Sequence, residues 1–111
     1  MTDFELSKAI AELVSSSEDW EYIKKQCIGH PEWYPNYIAD YPNNWNDLMS
    51  LVDKYKISSY YDEGIGLWYF NQHKRDEGGD YLCETFENDI ENKSLSRGYA
   101  ETLLKVLEMN K

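Results

Sequence analysis

The chain has 111 residues, of which 41% are hydrophobic and 15% aromatic, so it is expected to be one domain of ordinary size rather than a disordered polyelectrolyte. Its 21 acidic residues against 11 basic ones give a net charge of −10, which excludes a bare phosphate backbone as partner, since that needs clustered lysines and arginines. No apolar run approaches the ~20 residues of a membrane span, and MTDFELSKAI has neither part of a secretory leader, so a cytosolic protein with Cys27 and Cys83 reduced is expected.

In chain order, Thr2-Asp3-Phe4-Glu5 predicts a capping box, with the Thr2 hydroxyl accepting from the Glu5 amide and the Glu5 carboxylate reaching back. Leu6, Ile10, Leu13 and Val14 then recur at helical spacing. Ser15 to Ser17 ends this helix and opens the next, with Glu18 and Asp19 at the positive end of its dipole and Trp20, Ile23 and Cys27 on one face. Gly29 followed by His30-Pro31 is a stop, because Gly accepts the left-handed conformation and Pro cannot continue a helix. Residues 30 to 43 hold all three prolines with Trp33, Tyr34, Tyr37 and Tyr41, which predicts an ordered loop pinned by its rings, with one helical turn at Asn36–Asp40. Asn44 caps a third helix whose stripe is Trp45, Leu48, Met49, Val52 and Tyr55.

The period then changes. Ile57 to Tyr61, Leu67 to His73 and Asp80 to Glu87 are β-rich runs, separated by turns at Glu63–Gly66 and Asp76–Gly79. Ser94 or Ser96 caps a last helix with Leu95, Tyr99, Leu103, Val106 and Leu107 as its buried stripe, widened by Ala100 and Leu104. The expected fold is α+β in a single domain of residues 1–111: a three-stranded antiparallel β-meander packed by helices on either side in sequence, α-α-α-β-β-β-α.

Specific residues now attach to this order. Tyr41-Pro42-Asn43-Asn44-Trp45-Asn46-Asp47-Leu48-Met49, opening a helix, resembles the phage ABA sandwich domain family, where a Tyr-containing turn and an Asn/Asp-rich cap lead into the helix before the sheet. Arg97 to Leu107 looks like that family's closing helix. The likeness covers residues 44–107 and, more loosely, 2–14; Ser15 to Asp40 reads as an insertion, and Gly98 and Tyr99 depart from an Ala-rich helix. The resemblance implies a small phage- or prophage-encoded protein of the bacterial cytoplasm, with no catalytic residues to carry over.

Two surfaces are candidates for partner binding. Between Asp76 and Glu91 stand seven acids (Asp76, Glu77, Asp80, Glu84, Glu87, Asp89 and Glu91) and no Lys or Arg, a negative patch suited to a basic protein groove. The bland alternative is a solvated strand edge kept from aggregating by its charge. Strand alternation sets Glu84 on the side of Leu82 and Phe86, which asks for an edge position or a bulge. The second surface is the aromatic loop: Trp33 is expected to plug it onto the core, while Tyr34 and Tyr37 are candidates for contact with a partner.

Other chemistry is weakly supported. Cys27, His30, His73 and Cys83 are zinc-ligand types, but the second pair is ten residues apart rather than tight, so no metal is expected. Neighbouring exposed carboxylates such as Asp76-Glu77, or Glu84 with Glu87, do not supply the split environments of general acid–base catalysis. The glycines at 64, 66, 78 and 79 open no helix after a strand, so a phosphate loop is unsupported. The expectation is a non-enzymatic protein without cofactor, a monomer or homodimer that binds a protein with a basic surface and neither nucleic acid nor membrane. Its concrete form is an inhibitor of a host defence complex. The alternatives are an immunity or antitoxin protein against a basic toxin and, from another class, a small-ligand-binding domain or a structural subunit.

Overall fold

A computed structural model describes residues 1–75, 77–88 and 94–110, excepting the side chains at 81, 82, 84 and 86–88. The fold is α+β. In chain order it comprises α1 (Asp3–Val14), α2 (Ser17–Gln26), a 3-10 helix (Pro31–Asn36), α3 (Trp45–Lys54), β1 (Ile57–Asp62), β2 (Leu67–Arg75), β3 (Tyr81–Asn88) and α4 (Leu95–Met109).

Local chemistry sets the helix starts. Thr2 and Glu5 make both bonds of the capping box, and the side chains of Ser16, Asn44 and Ser94 each accept from the amide three residues on. Each satisfies a donor that has no partner within its helix. Gly29 ends the α2 region with φ +75°. At the end of α3 the same left-handed geometry falls on Lys56, at φ 57°, where a side chain is strained.

α4 is the hub of the core. Its Ala100, Leu103, Leu104, Val106 and Leu107 pack with Leu6 and Ile10 of α1, Leu48 and Val52 of α3, and Ile57 of β1. Thr102 is also fully buried there, its hydroxyl donating to the Gly98 carbonyl at 2.9 Å. A second cluster of Ala11, Trp20, Cys27 and Tyr34 holds α2 and the 3-10 helix against α1.

The strands are antiparallel in the order β1-β2-β3, with Ser59 opposite Phe70 and Phe70 opposite Phe86. Phe70 is fully buried and meets the edge of Tyr99 at 5.1 Å between ring centres. The Tyr99 hydroxyl donates to Ser59 Oγ at 2.6 Å, which ties α4 to β1. Gln72, buried beside Phe70 on the same face, donates from Nε2 to the Tyr55 carbonyl at 3.4 Å.

Three expectations change. The helical turn in the proline-rich loop lies at Pro31–Asn36 rather than Asn36–Asp40. Pro31 stands at the start of that turn, where its fixed φ and missing N–H do no harm, and Tyr34 is its buried residue. Trp33, expected on the core, is exposed and stacks flat on His30 at 3.9 Å. Trp45, expected in the α3 stripe, is exposed at the first position of that helix, its ring in a T-shaped contact with Tyr99 at 6.0 Å between ring centres.

Candidate protein-binding surface

The helices cover one face of the sheet, on which Ile57, Phe70 and Gln72 are buried. The opposite face carries Ser58, Tyr60, Tyr69, Asn71, His73, Cys83 and Thr85, all half-buried or exposed. Its side chains bond across the strands: Ser58 Oγ with His73 Nε2 at 2.8 Å, and Thr85 Oγ1 to Asn71 Oδ1 at 2.9 Å.

The outer end of the β1–β2 hairpin is aromatic on both faces. Tyr60 pairs with Tyr69, and Tyr61 with Trp68. Adjacent residues in a strand point to opposite faces, so each ring pair clads one side. Ring centres are 6.5 Å apart in the first pair and 5.2 Å in the second. Tyr60 is 57% exposed, Tyr61 45% and Ile65, at the turn, 62%.

The turn itself is fixed by Asp62. Its carbonyl accepts from Gly66 N at 2.7 Å, and its carboxylate from Gly64 N at 2.9 Å and Ile65 N at 3.3 Å. Gly66, at φ +75°, supplies the left-handed residue that closes the loop and leaves Ile65 outward. Residues 57–73 contain Asp62 and Glu63 and no Lys or Arg, so this apolar tip has a negative rim. Rings already held in cross-strand pairs lose little freedom when they dock, which suits them to anchoring a partner.

The residues singled out from the sequence fare differently. Tyr34 is corrected: at 8% exposure, it lies against Trp20 and the edge of Phe4, with the Lys8 ammonium 4.5 Å from its ring centre, and so is closed to a partner. Tyr37 is exposed and meets Tyr22 edge-on at 6.5 Å. Glu77 and Asp80 are exposed in the segment between β2 and β3, where Arg75 Nη1 donates to the Gly79 carbonyl at 2.9 Å, bringing a cation into the acidic stretch. Asp76, Asp89 and Glu91 lie outside the described residues. Glu84 and Glu87 are placed by backbone alone, opposite Gln72 and Tyr69, and their side chains lie outside the described residues. The pairing of β3 with β2 is unbroken from Tyr81 to Asn88, so Glu84 holds a regular position on an edge strand rather than a bulge.

Other polar groups are engaged structurally. Arg97 donates to Asp3, to the Met1 carbonyl and, at 3.0 Å, to Glu101. Burial works against the Arg97 charge, but the bonds to Glu101 and Asp3 outweigh it and raise its pKa. Asp3 is held below the usual carboxylate range, first by Asn43 and then by Arg97. Among the described residues no group of three His, Cys, Asp or Glu gathers to hold a metal. Cys27 is buried and Cys83 exposed, both as free thiols. No described helix is long and apolar enough to cross a membrane.

No family model, curated protein or solved structure matches the chain.

The aromatic tip was missed in the sequence. The signal was present: Tyr60-Tyr61 and Trp68-Tyr69 are adjacent ring pairs mirrored about one turn. Adjacent rings in a strand cannot share a face, so a sheet covered on one side must display half of them.

Proposed function

We propose that the protein works by binding another protein through the outer end of its β1–β2 hairpin, and that the partner's surface is basic. The carrying observation is the exposure of Tyr60, Tyr61 and Ile65 around a turn fixed by Asp62. Tyrosine and tryptophan rings bury large area at small entropic cost, and Arg or Lys of a partner gains from both ring faces and nearby carboxylates. Net charge −10 draws a cationic partner in and repels a second copy of the chain.

In this reading the meander of β1, β2 and β3 is the platform, and Glu77 and Asp80, between β2 and β3, add negative charge at the end away from the hairpin turn. In the setting implied by the resemblance, the protein is a phage or prophage accessory factor in the bacterial cytoplasm. There it inhibits a nucleic-acid-binding defence complex by offering carboxylates where phosphates would sit. An immunity protein against a basic toxin would use the same surface.

The test is capture from bacterial lysate at low and high salt, with wild type and the Tyr60→Ser/Tyr61→Ser variant side by side. The expected result is one dominant basic protein, weakened by salt and lost with the variant. Capture of the same protein by the variant at unchanged yield would refute the surface.

A further inference from the structure

A concavity stands apart from the hairpin. The first two turns of α1, the end of the 3-10 helix and the segment that follows it flank a cleft of about 320 Å³, lined by Asp3, Phe4, Ser7, Pro35, Ile38, Ala39 and Asp40. That volume lies within the range of small-molecule sites, ~300–1,000 Å³. The walls are apolar: Phe4, Pro35, Ile38 and Ala39. Phe4 is exposed although its ring edge already meets Tyr34, so an apolar guest would cover ring surface that now faces water. On the floor, Ser7 is buried, and its Oγ accepts from the Tyr41 amide at 3.2 Å.

The charged residues that line the cleft are both carboxylates, Asp3 and Asp40. The Asn43 side-chain amide donates to Asp3 Oδ2 at 3.1 Å and to the two Asp40 oxygens at 3.0 and 3.1 Å, so a single neutral group holds two carboxylates together. Each carboxylate can accept more bonds than Asn43 supplies. Arg97 is the cation on Asp3, and it is shared with Glu101. Lys8, the next α1 cation, lies over the ring of Tyr34. The remaining acceptor capacity sits at Asp40, beside apolar walls, in a molecule of net charge −10 that concentrates cations around itself.

We propose that this cleft is a binding site for a small organic cation, with an apolar body against Phe4, Pro35 and Ile38 and a protonated amine at Asp40. A carboxylate ligand of the same size is excluded by the Asp3–Asp40 pair. A neutral alcohol keeps the apolar contacts but loses the charge-assisted bond. The site uses no residue of the hairpin, so it stands or falls separately from the protein-binding surface.

The probe is hexylammonium, titrated into the isotopically labelled full chain and followed by amide chemical shifts, with hexanol and hexanoate in parallel. Hexylammonium should shift Ser7, Ala39 and Asp40 saturably and bind about tenfold tighter than hexanol, the order expected for one charge-assisted hydrogen bond at a partly exposed position. Hexanoate should leave these amides in place. Asp40→Asn, which retains an acceptor for Asn43, should bring the affinity for hexylammonium down to that for hexanol. Equal binding of hexylammonium and hexanol by the wild-type chain, or shifts that never saturate, would overturn the proposal without recourse to any variant.

Discussion

Removing the guanidinium of Arg97 while keeping its aliphatic stem, as in Arg97→Met, should cost about 2 kcal/mol at neutral pH. The side chain is 16% exposed and serves three acceptors on two distant parts of the chain: Asp3, Met1 and Glu101. A buried hydrogen bond to a charged group contributes ~1.5–3 kcal/mol. The Asp3 end is 48% exposed, so solvent screening moves its share toward the ~0–1 kcal/mol of a surface pair. The better-sheltered bond to Glu101 carries most of the loss. For a domain of this size that is a fall in Tm of roughly 6–12 °C, read by urea or thermal unfolding. The pH dependence carries a sign. Asp3 has a depressed pKa in the folded state, so its contribution is complete above the unfolded value of ~3.9 and fades as pH falls through the lower folded value. The difference between wild type and Arg97→Met should therefore narrow as pH falls below the unfolded value of Asp3 and through its lower folded one. A difference below about 0.5 kcal/mol at pH 7 would place the role of Arg97 in the stem that Met keeps, and a difference that does not narrow in acid would show that the charge of Asp3 contributes nothing to it.

Four further outcomes are expected. Lys56→Gly should raise stability by about 0.5–1 kcal/mol in urea unfolding, since a left-handed non-glycine residue costs ~1–2 kcal/mol and glycine returns part of that as chain entropy; a loss would contradict the strain. Phe70→Ala should cost about 3–5 kcal/mol, because Phe70 is fully buried and loses the Tyr99 edge contact, with the near-ultraviolet circular dichroism collapsing first. Burial, then the Asp47 charge, raises the pKa of Tyr41, so the folded state holds that proton more tightly than the unfolded chain and stability falls as pH rises above ~10; Tyr41→Phe should flatten that fall. A thiol reagent should label Cys83 at once in the native protein and Cys27 only after denaturation.

What could be read from the sequence was whatever neighbours decide. The caps at Thr2 and Asn44 were legible because donor and acceptor are three residues apart. The stop at Gly29 was legible because its left-handed conformation has a residue preference of its own. The 3-10 helix was misplaced because its position depends on Tyr34 finding Trp20, 6.2 Å away between ring centres, and no local pattern announces that. Trp33 and Tyr34 could not be told apart by type; a short turn buries one and releases its neighbour. The bonds of Arg97 to Asp3 and Met1 span more than ninety residues, beyond any periodicity. The aromatic tip lay between these cases, since its ring pairs were visible but the face left uncovered by helices was not.

α4, with Gly98, Ala100, Thr102, Leu103, Leu104, Val106 and Leu107 all buried, is the element to which both α1 and α3 turn their apolar faces. Translation delivers it after every other element named above. A nascent chain paused before residue 94 would thus carry the stripes of two helices with nothing to close over them. Such a chain would be a client for holding chaperones on the ribosome, and folding would follow in one late step once the last turn of α4 clears the exit tunnel.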